Sequence, residues 1–398
     1  MRAQRDRPAA VRALKRLAAL ACLLPAAAAS AAALSIQAVL IVPGPDPRLD
    51  RSRLDRQFLG HPGGPVSDGL RLALEEGRFE LDAAEAAIVW TQRTADSREA
   101  AQAAARLAEQ AGAAVLVVDL PTDWTLAATD AVKLPVVNVG DASDRLREQD
   151  CRPRLFHTLP SERMRIDAIA QTLVERRWRK LVVLVGPTPQ DQERGRAVQQ
   201  SIVRHGLQAV AAKPFKLSGD PRQRELANIQ LLTAGETYDA VWVIDGDGEF
   251  ARSLPYRTAL PRPVVGDGGL VAVGWHSRFE RFGAPQVSRR FARAAGRPMT
   301  SHDWSAWMAG KALVAAVSVL AKERSSGFAS ALGHASIDGS KGFSLGFRAW
   351  DGQLRQPLLL TDGQGVIAQA PVDGLLHPTD VLDTLGADAP EKRCKAAR

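Results

Sequence analysis

Residues 155–192, LFHTLPSERMRIDAIAQTLVERRWRKLVVLVGPTPQDQ, contain a short strand, a helix, a wholly apolar strand and the start of a second helix. Pro160-Ser161 stands just before the helical run, and Ser161 can cap it by accepting a free backbone N–H. Ile166, Ile169, Ala170, Leu173 and Val174 recur at helical spacing and give one apolar face. Arg176, Arg177, Arg179 and Lys180 crowd the last turn, where the helix dipole favours cations. Leu181-Val182-Val183-Leu184-Val185 has no polar alternation, as expected of a parallel strand covered on both faces. Thr188, Pro189 and Asp191 then form a helix start, with a cap, a proline in the first turn and an acid behind it. This βαβ unit lies mid-chain, and its position makes it the opening of a second lobe.

Upstream, strands are expected over 36–42, 86–90, 114–118 and 134–138, with helices over 66–76 and 97–111 and a short helix opening at Pro121-Thr122-Asp123-Trp124. Four βα steps with short connections predict a doubly wound parallel sheet. Downstream, strands over 209–215 and 239–244, a helix over 222–232 and Val264-Val265 leading into Gly266-Asp267 predict a second such sheet. From about Ser301 the pattern changes. A long helix over 304–320 precedes β-like stretches at 343–350, 356–361 and 366–369, with Asp351-Gly352 and Asp362-Gly363 as turns. The fold class is therefore α/β.

The first 33 residues differ from the rest. Arg2, Arg5, Arg7, Arg12, Lys15 and Arg16 precede an apolar run over 17–29 and small residues at Ser30-Ala31-Ala32-Ala33, the pattern of a secretory signal peptide. The apolar core is too short to span a bilayer. Six basic residues and one acid lie in this leader, so it carries five of the eight net positive charges and the remainder is near +3. That balance gives little support for nucleic-acid or membrane-surface binding. No other segment reads as transmembrane. Beyond the leader the cysteines are Cys151 and Cys394. In an oxidising compartment such a pair is most simply a disulfide, the other reading being two unpaired thiols.

Ligands of open parallel sheets sit outside the carboxyl ends of the strands. Thr122, Ser143 and Thr188 stand there beside helix starts, where they can either cap the helix or help hold a ligand carboxylate. Asp245, Asp247 and Asp267 are either solvated turn residues or partners for a ligand amine. Trp124, Trp275 and Trp304 are candidates to wall an apolar pocket. Asp245-Gly246-Asp247-Gly248-Glu249 is similar to half of a calcium loop, without the glutamate at position twelve. The chain has no phosphate-cradling G-x-x-x-x-G-K-[ST], no H-E-x-x-H and no S-x-x-K, and no G-x-S-x-G nucleophile turn is expected. No metal or cofactor is expected, and no catalytic role.

Together, the exported chain, the two βα lobes, Phe156-His-Thr-Leu-Pro-Ser161, Tyr238-Asp-Ala-Val-Trp-Val-Ile-Asp-Gly-Asp247 and Gly346-Phe-Arg-Ala-Trp-Asp-Gly352 resemble the branched-chain amino-acid type of periplasmic solute-binding protein. With the cysteine-containing tail, the likeness narrows to the subgroup associated with PQQ-dependent alcohol oxidation. The resemblance implies two doubly wound parallel-sheet lobes joined by crossing hinge strands. Lobe 1 would comprise 34–154 plus 278–348, lobe 2 155–277 plus 349–372, and 373–398 the tail. It further implies a periplasmic location, a small-molecule ligand and delivery to an ABC permease in the inner membrane. Thr122 and Ser143 would hold a ligand carboxylate and Asp267 an amine, with Trp124, Thr188 and Asp245 nearby. The loop after the first strand lacks the family's short Gly-Pro-Gln stretch, and only Tyr238 and Tyr256 are available as tyrosine cover. Both departures point toward another small acid, an alcohol-derived metabolite or a cofactor-related molecule. Two rivals remain on this fold, a sensor or accessory protein and an exported enzyme.

Overall fold

β1 (Leu34–Pro43) runs inside the first sheet because both of its faces are apolar. Ala38 and Leu40 enter one core cluster, Val39 and Ile41 another. The computed structural model describes residues 34–50, 61–323 and 327–395, and the expected leader over 1–33 lies outside them. α1 (Ser67–Glu76), α2 (Arg78–Ala83), β2 (Ala86–Ala95), α3 (Arg98–Gln110), β3 (Val115–Val118), α4 (Thr122–Asp130), β4 (Val136–Asn138) and β5 (Leu155–His157) complete this half. The sheet is parallel, in the order β2-β1-β3-β4-β5. Its last member corrects the expectation: Leu155–His157 pairs with Val136–Asn138 in the first sheet and does not open the second. The chain crosses at Thr158–Ser161 instead.

The second half holds α5 (Glu162–Glu175), β6 (Lys180–Val185), α6 (Pro189–Arg204), β7 (Gln208–Pro214), α7 (Ile229–Thr233), β8 (Ala240–Ile244), α8 (Glu249–Ser253) and β9 (Val264–Gly266). Its parallel order is β7-β6-β8-β9. Leu181 and Val183 pack beneath α5 and α6, while Val182 and Leu184 join Phe215 and Phe250 on the other face. The continuous helix expected over 222–232 is broken. A 3-10 run, Pro221–Ala227, ends at Asn228, whose backbone is extended and whose side chain caps α7 by accepting from Leu231 N–H.

β10 (Val271–Val273) leads back to the first lobe, where α9 (Ala284–Ala295), α10 (Ser301–Lys322) and α11 (Phe328–Gly333) follow. α10 passes the length and hydropathy test for a membrane span, contrary to the expectation that no such segment exists outside the leader. It is nevertheless the central helix of the first lobe, with Trp304, Trp307, Met308 and Leu313 packed in its core. Trp275 and Trp304 stack at 6.2 Å inside that core, which removes them as cleft walls. β11 (Ile337–Asp338) and β12 (Ser344–Leu345) form a small hairpin, so of the strand expected over 343–350 only Ser344 and Leu345, with Phe347 in an isolated bridge to Leu354, are paired. β13 (Leu358–Thr361) and β14 (Val366–Ala370) join β10 in an antiparallel sheet between the halves. Strand alternation sends Leu359 and Val273 to the first-lobe core and Leu358, Leu360 and Ala272 to the second.

The crossings are tied by buried polar groups. His157 N–H donates to Gly352 O and Leu354 N–H to His157 O. Gln353 Nε2 donates to Leu159 O, and Gln356 Nε2 to Thr158 O. Arg147, 2 % exposed, donates to Gln353 Oε1, Asp141 O, Ser143 O and Leu159 O. Every donor nitrogen of this guanidinium is therefore met inside the protein. Cys151 and Cys394 are disulfide-bonded, with Cα atoms 5.6 Å apart.

Candidate functional site

The carboxyl ends of β1, β3 and β4 face those of β8 and β9 across a cavity of about 1090 Å³. The first lobe lines it with Asp46 and Arg48, with Thr122 and Trp124, and with the 140–145 loop. The second lobe contributes α5 and α6 side chains together with Asp245 and Asp267. Parallel strands ending at one rim place these loops together.

On the first-lobe wall, Arg48 makes paired bonds to Asp119, 2.9 and 2.7 Å, and also holds Asp46. Burial raises the Asp119 pKa, and the Arg48 charge opposes that shift. A Cβ on Gly140 would lie 1.7 Å from Asp119 Oδ1, so this pair needs glycine beside it. Asn138 Oδ1 accepts from Gly140 and Asp141 N–H at 3.1 and 2.9 Å. The Asp141 carboxylate accepts from Thr122 Oγ1 at 2.5 Å and from Ser143 N–H at 2.7 Å.

On the second-lobe wall, Asp267 is held by Arg194 at 2.6 Å and accepts Asp245 N–H at 2.7 Å. Arg165 and Arg194 converge on Glu162, at 3.2 and 3.4 Å. Burial pushes the Glu162 carboxyl up, but the surrounding cations, Arg165 and Arg194 first among them, together outweigh it and leave the pKa lowered. Asp245, 4 % exposed, accepts Ala251 N–H, and burial drives its pKa up to about 7. Asp144 of the first lobe accepts Arg163 N–H at the start of α5, and burial raises it likewise to about 7.

Thr122, Trp124, Ser143, Asp245 and Asp267 all line the cavity; Thr188 does not. The Thr188 hydroxyl is engaged in a capping box with Asp191, at 2.6 and 3.0 Å. Sequence reasoning missed Arg48, Asp141, Glu162, Arg165 and Arg194. The strand-end rule could have found Asp141. The arginines read as solvated helix and loop charges until the lobes are assembled.

The spacing G-x-S-x-G does occur once, at Gly342-Phe343-Ser344-Leu345-Gly346. Ser344 lies on the β12 hairpin with its hydroxyl 2.7 Å from Ser336 Oγ, not on the strand-to-helix turn that exposes a nucleophile. Among the described residues, no group of three or more His, Cys, Asp or Glu is arranged to hold a metal ion.

The periplasmic binding protein family model matches residues 61–248. No curated protein matches the chain by sequence. Solved structures match it by fold. The leucine-, isoleucine-, valine-, threonine- and alanine-binding protein of Brucella ovis, in a closed conformation, superposes with a TM-score of 0.68 at 14 % identity, over 92 % of this chain and 99 % of that one. A Rhodopseudomonas palustris ABC-transporter solute-binding protein in complex with benzoate gives 0.60 at 17 %, over 85 % and 98 %. An ABC-transporter substrate-binding protein of Desulfitobacterium hafniense in complex with leucine gives 0.62 at 17 %, over 83 % and 98 %. These similar proteins are solute-binding proteins rather than enzymes. The chain thus has the two-lobed fold of the type I periplasmic binding proteins, and its residues 61–248 match that family.

Proposed function

We propose that this protein is the periplasmic solute receptor of an ABC importer, capturing a small carboxylate between its lobes and presenting it to an inner-membrane permease. The observation that carries this reading is the cavity enclosed by the carboxyl ends of two parallel sheets. The similar structures that hold leucine and benzoate point to small carboxylates as the ligand class. Lobe 1 is then 34–154 plus 278–348, with the strand at 155–157 added, and lobe 2 the remainder to 372. The leader expected over 1–33 supports the location. The role requires no chemistry on the solute.

A finer reading places the solute in PQQ-dependent alcohol oxidation. It is carried by the likeness of the cysteine-bearing tail, and alcohol-derived acids and the cofactor itself therefore belong in the ligand panel. A second reading is a sensor or accessory protein that keeps the fold. It is favoured by one observation, that Thr122, Ser143 and Asp267 are already engaged by side chains of the protein itself. Thermal-shift screening against small acids decides between them, because a ligand that binds only the folded state raises Tm. A dose-dependent rise supports the receptor, and a flat response across the panel supports the accessory role.

A further inference from the structure

We propose that the solute is an organic acid without an amino group, carrying an apolar body, and that Arg165 and Arg194 on the second-lobe wall receive its carboxylate. This rests on the reading of the cleft as a solute site. An α-amino acid brings one carboxylate and one ammonium, and three groups that the sequence offered for them, the Thr122 hydroxyl, the Ser143 N–H and the Asp267 carboxylate, are already engaged from within.

In the first lobe, the Asp141 carboxylate takes the Thr122 hydroxyl and the Ser143 N–H. Asn138 takes the N–H groups of Gly140 and Asp141. An incoming carboxylate therefore finds these four donors in use, with an anion already standing among them. In the second lobe, Asp267 is neutralised by Arg194 and also holds Asp245 N–H. An ammonium group would have to displace a guanidinium bonded at 2.6 Å. Asp141 and Arg194 thus play, inside the protein, the parts that a zwitterion would bring.

Two donors of side chains that line the cavity remain unspent. The Nε atoms of Arg165 and Arg194 are buried and have no hydrogen-bond partner. Arg194 Nε lies 3.4 Å from Glu162 Oε2 without hydrogen-bond geometry. The two side chains come from different helices, α5 and α6, yet meet at the same carboxylate. An unmet buried donor is costly, and a carboxylate has two oxygens with which to meet such donors. Guanidinium and carboxylate form the stronger, charge-assisted kind of bond. Ile166, Ile169, Val198 and Trp242 line the same wall and suit an apolar body.

The test is calorimetric titration of the intact protein with leucine, with 4-methyl-2-oxopentanoate, which has the same carbon skeleton but no amine, and with benzoate. The oxo acid is expected to bind at least about tenfold more tightly than leucine. Arg165→Gln and Arg194→Gln should each weaken it about tenfold, the worth of one charge-assisted bond. Arg194→Gln should also narrow the preference, because it frees Asp267 for an amine. Thermal scans of both variants separate lost binding from lost fold, and the comparison in the unchanged protein stands without them. Leucine binding as tightly as the oxo acid overturns the inference and leaves the receptor reading intact. Binding of no acid and no amino acid overturns both.

Discussion

Cys151 and Cys394 are bonded across 243 residues, which fastens the end of the second lobe's tail to the first lobe. On its way the tail grips α5: Asp167 accepts Gly386 N–H, Gln171 donates to Thr384, and Arg163 makes two bonds to Glu391. Arg348, 1 % exposed, anchors its middle through Asp383 and the carbonyls of Leu382 and Leu385. The three chain crossings are thereby joined by a fourth, covalent link between lobes.

Cys394→Ser should therefore do two things. It should lower stability by about 2–5 kcal/mol, the usual effect of losing a native disulfide that closes a long loop. It should also let the lobes separate further, because one side of the cleft loses its tie. Calorimetry reads the first and the small-angle scattering radius of gyration the second. An unchanged radius would show that the noncovalent anchors alone set the opening.

Arg147 is the other fixed point of the hinge. Its four acceptors come from the 141–143 loop, from Leu159 in the first crossing and from Gln353 in the last. Burial lowers its pKa to about 10, so it stays charged at neutral pH. Arg147→Met leaves several buried carbonyls unmet and should cost about 3–5 kcal/mol. The 141–143 loop should loosen as well, giving faster amide hydrogen exchange at Asp141 and Ser143. A loss of stability with unchanged exchange there would assign Arg147 to packing alone.

The sequence made some of this legible and hid the rest for physical reasons. Leu181–Val185 was readable because its apolar run must be covered on both faces, and Leu181 and Val182 do enter different core clusters. β5 was not, because a three-residue strand is assigned by its partner, and Val136–Asn138 lies across a non-local pairing. The Thr188 cap was visible as a local motif, but whether a helix start faces the cleft depends on how the lobes are set. Arg48 and Asp119 stand 71 positions apart, and Arg194 and Asp267 stand 73 apart. No periodicity connects such pairs. The 222–232 helix failed at Asn228, whose side chain competes with the backbone and restarts the helix.

Asp144 should give the stability a distinctive pH dependence. Its carboxyl is raised to about 7 by burial, against roughly 4 in an unfolded chain. Below about pH 4 both states are protonated and the contribution is fully present. Between about pH 4 and 7 the unfolded chain has released the proton while the folded one keeps it, so stability falls as pH rises. Asp144→Asn cannot titrate. Its Tm relative to the parent protein should climb steadily from about pH 4.5 to 8, with Asp245, likewise near 7, unaltered in both. Parallel Tm curves across that range would mean that Asp144 is ionised in the fold.

Gly266 sets the position of Asp267 and offers the most direct test of the second-lobe wall. Its φ is +110°, and a Cβ there would lie 2.1 Å from Val243 O on the neighbouring strand. That same carbonyl accepts the Asp267 N–H at 3.0 Å. Gly266→Ala must therefore push the end of β9 away from β8 and carry Asp267 off Arg194. Gly112 is the control, with a φ of +86° and open space around its Cβ position. Gly112→Ala should cost about 1–2 kcal/mol, the strain of a left-handed residue alone. Gly266→Ala should exceed it by about 1–3 kcal/mol, the usual effect of overpacking. Only the Gly266 variant should alter the relative affinity for acids and amino acids, since only there does the Arg194–Asp267 pair separate. Equal losses of stability in the two variants, with ligand preference unchanged, would show that β9 yields without moving Asp267.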